Sequence, residues 1–169
     1  MQKDKTNVMR VLDQKKLEYT HYAYDNMTTN AVEVANGLGT DPEFLYKTLV
    51  TVGKSKEHYV FMVPAEHELD LKKAAKAVGE KSIEMIPQKE LLPLTGYIHG
   101  GCSPIGMKKQ FKTTIHINAQ NADKIFFSGG RVGCQVCTSP KNLEKVVRLQ
   151  YKDIIKTPID LIINSPELF

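Results

Sequence analysis

Only three of the 169 residues are cysteine, an odd number that cannot pair off within one chain and is far too sparse for a secreted disulfide scaffold. Reduced thiols are the expectation. No run approaches the ~18 apolar residues of a membrane span, and Met1-Gln2-Lys3-Asp4-Lys5 lacks the apolar core of a signal peptide. These absences predict a cytoplasmic protein with no membrane partner. No strand candidate is followed by G-x-G-x-x-G or by G-x-x-x-x-G-K-[ST], which argues against dinucleotide and P-loop nucleotide sites. The five histidines, at 21, 58, 67, 99 and 116, lack H-x-x-x-H and H-E-x-x-H spacing, and no G-x-S-x-G elbow offers a serine nucleophile. Cys134-Gln135-Val136-Cys137 is a single C-x-x-C. A structural zinc site needs four converging ligands, and residues three apart on a strand point to opposite faces. No metal and no cofactor are expected.

With 41% hydrophobic and 25% charged residues, the chain is long enough for one well-packed core and short for two. We expect one domain over residues 1–155 and a tail over 156–169. A helical period through Val8, Val11 and Leu12, capped by Thr6 or Asn7, predicts an opening amphipathic helix. Strands are predicted over 18–24, 47–52, 58–63, 83–86, 113–117, 124–128 and 135–138, from β-prone or alternating runs. Gly53 to Glu57 forms a polar hairpin connection between two of them. Short helices are predicted over 31–36 behind Thr28-Thr29-Asn30, at Asp41-Pro42-Glu43, over 71–78 between Asp70 and Gly79, over 87–92, and over 142–149 behind Ser139. A helical turn and then a tail are expected beyond Tyr151-Lys152-Asp153, since Pro158 and Pro166 break any long helix. Strands and helices interleave irregularly with hairpin-length links, so the fold class is α/β in the α+β sense, with a mixed sheet, and not a doubly wound parallel sheet.

Two features stand out from that background. Thr95 to Gly106 holds four glycines and Pro104. Gly100 and Gly101 let a ligand approach bare backbone, while Pro104 keeps Ser103 extended. The plain alternative is a sharp turn between strands. Lys47 sits inside the apolar run Leu45-Tyr46-Lys47-Thr48-Leu49-Val50, where a cation is costly unless paired or working. The plain alternative there is a lysine whose ammonium reaches water at the strand end. Together they suggest a site for a small polar ligand. The net charge of +4 permits an anionic partner, and it is unevenly spread: Lys72, Lys73, Lys76 and Lys81 form one basic stretch, and Lys108, Lys109 and Lys112 another directly after the glycine loop.

At Tyr46-Lys47-Thr48-Leu49, at Leu69-Asp70-Leu71-Lys72-Lys73-Ala74-Ala75-Lys76, through the loop Thr95 to Gly106 with Lys108-Lys109, and at Ser128-Gly129-Gly130, the sequence resembles the YbaK/EbsC family. The resemblance runs from about residue 5 to residue 155. It implies a compact domain with a mixed, barrel-like sheet flanked by helices. It also implies freestanding editing of mischarged tRNA: deacylation of Cys-tRNA(Pro), and of Cys-tRNA(Cys), with prolyl-tRNA synthetase as a partner. The family's essential lysine falls on Lys47, its loop glycine on Gly100 beside Gly101, and its strand-end pocket tyrosine on Tyr24. Ser128 and Gln135 are implied as further pocket residues, and the two basic stretches mark Lys72, Lys73, Lys108 and Lys109 as expected contacts to the tRNA. The phenylalanine that some relatives carry after the first strand is unmatched, Asn30 lying nearest, and an aspartate after the second glycine turn is Gln135 here. The alternatives are a deacylase for another small residue, alanine or serine, and a non-catalytic module that binds tRNA or a synthetase.

Overall fold

The computed structural model describes residues 5–25 and 28–157. Within these residues eight strands form two sheets. The first is three-stranded and antiparallel, in the order β1 (Thr20–Ala23), β7 (Cys134–Thr138), β6 (Ile125–Ser128). The second is five-stranded and mixed, in the order β4 (Ile83–Met85), β2 (Tyr46–Gly53), β3 (His58–Pro64), β5 (Thr113–His116), β8 (Leu149–Lys152). The pairs β2–β3 and β2–β4 are antiparallel, whereas β3–β5 and β5–β8 are parallel. A parallel bridge between Leu45 and Phe126 joins the sheets where β2 begins. The mixed α/β class holds. The sheets themselves are open, with β4 and β8 at the edges of the larger one, so the barrel-like expectation is corrected to two open sheets packed together.

The pattern of β3 explains the layering. Val60 and Met62 point into the larger hydrophobic cluster, while Phe61 and Val63 point into a second one. A strand buried on both faces reads as a continuous apolar run, and Tyr59-Val60-Phe61-Met62-Val63 is one. The larger cluster lies between the sheets and takes in Val8 and Leu12 of α1 (Asn7–Gln14), Ile125 and Phe127 of β6, and Val136 of β7. The second cluster is roofed by Ala74 and Ala75 of α3 (Leu71–Val78), the helix reached through α2 (Ala31–Leu38) and the β2–β3 hairpin. A third, smaller cluster joins Val34 and Ala35 of α2 to Leu45 and Ala65.

Local chemistry sets most helix ends. Thr6 accepts a hydrogen bond from the Met9 N–H, Asn30 from Glu33, and Asp70 from both Lys72 and Lys73, each satisfying donors a helix start leaves unpaired. The two later helices are α4 (Leu91–Thr95) and α5 (Pro140–Glu144). Two expectations need correction here. The helix behind Ser139 does stem from a Ser139 cap, but it stops at Glu144, and Leu149 to Lys152 is strand β8, paired with β5. The helical turn expected beyond Asp153 is absent through Thr157: Ile155 bridges Leu69 instead. From Pro158 onward the expected tail lies outside the described residues. Among the described residues no helix is long and apolar enough to cross a membrane.

Candidate functional site

Where β2 starts, beside the Leu45–Phe126 bridge, the two sheets leave a cavity of about 150 Å³. Its walls come from distant parts of the chain: Tyr24 after β1, Thr28 and Thr29 before α2, Leu45 to Leu49 of β2, His99 and Gly100 of the glycine loop, Ser128 of β6 and Gln135 of β7. Of the residues singled out in the sequence, Lys47, Tyr24, Gly100, Ser128 and Gln135 are thus brought onto one surface.

Asn30 and Gly101 support that surface without lining it. The Asn30 Oδ1 accepts the Glu33 N–H at 3.0 Å and so starts the helix whose Ala31 and Val34 complete the wall. A Cβ on Gly101 would lie 2.9 Å from Arg131 Cα and from the Val132 N. Only glycine lets the loop sit against that backbone. Gly100 has φ +87°, and a Cβ there would come 2.5 Å from Thr29 Cγ2. Glycine takes this conformation without strain, and no other residue would fit the space. Ser103, fully buried, accepts the Ile105 N–H at 3.4 Å and shapes the loop. Tyr97 donates its hydroxyl to the Ile105 carbonyl at 2.5 Å across the same turn.

Among the described residues Lys47 is the one lysine or arginine on the cavity wall. Its Nζ donates to the His67 carbonyl at 2.6 Å, and an ammonium has three donors, so two remain for a ligand. Burial pushes its pKa below the ordinary lysine value, with Glu68 partly opposing the shift. Lys47 also lines a wider groove beyond the cavity mouth, together with Leu49, Leu71, Lys72, Lys73, Met85 and Lys156. Charge there is partly spent: Lys73 binds Asp153 at 3.2 Å and the Ile155 carbonyl at 2.8 Å, and Lys156 lies 3.7 Å from Glu68. Lys72 is exposed at the start of α3. Lys108 and Lys109 are exposed on the other side of the glycine loop, the Lys108 stem lying over Gly96.

Several wall residues carried no signal in the sequence. Thr48 follows the conspicuous lysine and has a buried hydroxyl with no hydrogen-bond partner among the described residues. The Gln135 carbonyl oxygen is in the same condition. Cys102, from the glycine loop, is a free thiol in the wall, and burial pushes its pKa up to about 12. A thiol raised that far supplies almost no thiolate near neutrality and is a poor nucleophile. Burial also raises Cys134 and Cys137, both buried in β7. The arrangement can hold a small acyl group beside an ammonium, and among the described residues no wall thiol is activated as a nucleophile.

A model of the aminoacyl-tRNA editing domain family matches residues 25–146. The chain is 43% identical over 152 residues to EbsC of Enterococcus faecalis, a candidate Cys-tRNA(Pro)/Cys-tRNA(Cys) deacylase, covering 89% of this chain and 93% of that protein. It is 31% identical over 96 residues to a proline–tRNA ligase of Pelobacter propionicus, covering 57% of this chain and 16% of the ligase. The fold is shared with the crystal structure of a candidate trans-editing enzyme for prolyl tRNA synthetase, at TM-score 0.75 and 24% identity, over 89% of this chain and 97% of that one. The family's segment spans every wall residue described above except Tyr24, and by that match and the EbsC identity this chain belongs to the aminoacyl-tRNA editing domain family.

Proposed function

We propose that this protein is a cytoplasmic, freestanding editing enzyme that deacylates Cys-tRNA(Pro), and Cys-tRNA(Cys) with it. The observation that carries the reading is Lys47, a half-buried lysine in the wall of a small cavity that, among the described residues, is lined by no other lysine or arginine and by no carboxylate. An aminoacyl ester is already activated, so orientation and stabilisation of developing negative charge are enough to accelerate its cleavage. Lys47 stabilises charge on the carbonyl or on the departing 3′ oxygen of the terminal ribose. Gly100 and Tyr24 hold the aminoacyl group, with Ser128 and Gln135 completing the wall, and Gly101 and Asn30 fixing the elements around it. A cavity of about 150 Å³ suits the amino acid and leaves the nucleotide outside. The groove sharing Lys47 and Leu49 is then the path of the tRNA end, with Lys72 and Lys73 beside it, and Lys108 and Lys109 make a second contact to tRNA phosphates.

The attacking group is the substrate's own thiol. Its sulfur forms a bond to the carbonyl carbon, the ester C–O bond breaks, and the thiol proton passes to the departing 3′ oxygen. The products are a cyclic cysteine thiolactone and uncharged tRNA. The raised pKa of Cys102 supports this route, because the thiol nearest the substrate in the protein is kept protonated. Prolyl-tRNA synthetase, which produces the mischarged species, is the partner that would deliver it.

Single-turnover deacylation of Cys-, Ala- and Ser-tRNA(Pro), with rapid trapping of the first product, tests the reading. Fast release from Cys-tRNA(Pro) as a thiolactone is expected, with serine slow because a hydroxyl is a far poorer attacking group than a thiol. Equal rates for serine, or direct incorporation of solvent oxygen into free cysteine, would make the protein an ordinary hydrolase for small residues. No turnover of any ester would leave a tRNA-binding module.

A further inference from the structure

Two buried polar oxygens on the cavity wall have no hydrogen-bond partner among the described residues. Gln135, centred in the three-stranded sheet opposite Tyr22 and Ser128, is 6% exposed, and its Oε1 makes no hydrogen bond among the described residues. Thr48, on β2 in the other sheet, presents the same fault at Oγ1. Both residues line the cavity that holds Lys47. Buried polar atoms are paired in the great majority of cases, because each unpaired one forfeits its hydration without compensation. Two such atoms from separate sheets, on residues that line one cavity, mark a place where a ligand brings hydrogen-bonding groups, and Gln135 Oε1, which can only accept, calls for a donor.

The reading above fixes what the ligand is, and this inference rests on it. Within an aminoacyl ester the ester oxygens only accept and a thiol donates weakly, whereas the α-amino group carries at least two N–H donors whether charged or neutral. Among the described residues no aspartate or glutamate lines the cavity, and Lys47 is a like charge. Neutral acceptors are therefore what the described wall offers for recognising the amine. We propose that Gln135 Oε1 and Thr48 Oγ1 together accept hydrogen bonds from the α-amino group, so that the site requires a free amine and spares esters whose amine is acylated, as in peptidyl-tRNA.

The test compares Cys-tRNA(Pro) with the same tRNA carrying a 3-mercaptopropionyl ester, which keeps the thiol and removes only the amine. The amine also changes the ester's intrinsic reactivity, and a double-mutant cycle cancels that contribution because it is common to every enzyme form. Wild-type protein, Gln135→Met and Thr48→Val are assayed under single-turnover conditions, with thermal unfolding recorded for each variant. The wild type should prefer the cysteinyl ester in kcat/KM, and each variant should shrink that preference by about tenfold or more, as loss of a hydrogen bond to a polar or charged group does. If the preference is the same in all three proteins, the amine is not read by these residues and the proposal is overturned, while the deacylase reading stands. If wild type cleaves neither ester, the deacylase reading itself has failed, and this inference falls with it.

Discussion

The ammonium of Lys47 donates to the main-chain carbonyl of His67 at 2.6 Å. That one bond holds the cation at the start of β2, where it would otherwise swing on a four-carbon stem. His67 is itself tied back, its Nε2 lying 3.2 Å from the Glu43 carboxylate in the turn just before β2. The lysine, the segment after β3 and the turn before β2 therefore form one closed loop of contacts. A fixed ammonium costs less to reorganise at the moment charge develops, which is where electrostatic catalysis gains most.

Lys47→Ala should lower the single-turnover deacylation rate by about 10²- to 10³-fold, the usual cost of removing one oxyanion-stabilising donor. Its unfolding midpoint should change little, since the side chain is only half-buried. Lys47→Arg should not restore the rate, because a planar guanidinium cannot occupy the site of a point charge. A folded alanine variant with near wild-type turnover would remove Lys47 from the mechanism.

The wild-type rate should also fall on the alkaline side at a pH below the ordinary lysine range, because burial lowers the Lys47 pKa. The sign for stability is opposite. The folded state holds this proton less tightly than the unfolded one, so stability should rise with pH between the lowered pKa and 10.5, and Lys47→Met should flatten that rise. Urea unfolding across the alkaline range measures it.

Gly100→Ala should impair both activity and folding. A Cβ at φ +87° is strained and would also press on Thr29, which lines the cavity, so a loss of about 1–3 kcal/mol in unfolding free energy is expected. Gly37→Ala is the contrasting case. Gly37 lies within α2 with nothing within 4 Å of a new Cβ, and alanine there should stabilise by about 0.5–1 kcal/mol. Equal effects of the two substitutions in denaturant unfolding would contradict this account.

His116 should make the protein acid-sensitive. It is 4% exposed, and its Nδ1 accepts the Ile154 N–H at 3.4 Å, a bond that only the neutral ring can make. Burial lowers its pKa, against the attraction of Asp153. The unfolded chain thus takes up this proton first as pH falls below 6.5, and stability should drop from there down to the lowered folded pKa. His116→Gln should be less stable at neutral pH but lose less on acidification, as read from unfolding at two pH values.

Binding of tRNA should be weak and salt-dependent. Each phosphate neutralised contributes a slope of roughly −0.7 to −0.9 in log affinity against log salt. Lys108→Glu with Lys109→Glu, and separately Lys72→Glu, should weaken binding and flatten that slope. Lys73→Glu should cost stability as well, since Lys73 joins α3 to Asp153 and Ile155. Unchanged binding after all of these would move the tRNA surface elsewhere, onto a synthetase partner included.

The chain by itself determined what short-range chemistry can determine. Thr6, Asn30 and Asp70 cap helices because their side-chain oxygens reach N–H groups two or three residues on, and this is visible in any window of four residues. Lys47 was legible because a cation in an apolar strand is anomalous without any knowledge of the fold. Asn30 shows the limit of that legibility: the sequence suggests it as a pocket residue, but its Oδ1 accepts the Glu33 N–H and it does not line the wall. Tertiary structure alone decided β8. Leu149 to Lys152 is only half-buried and continues a helix-like pattern, and it is a strand because β5 offers a parallel ladder 36 residues away at Thr114 and Gln150. Contacts of that range leave no local trace, because hydrogen bonds to a distant backbone do not depend on the side chains that carry local propensity. The same reason hid Thr48, Cys102 and the two threonines before α2. They became a single wall only when β2 met β6 at Leu45 and Phe126, bringing two sheets and a glycine loop around one lysine.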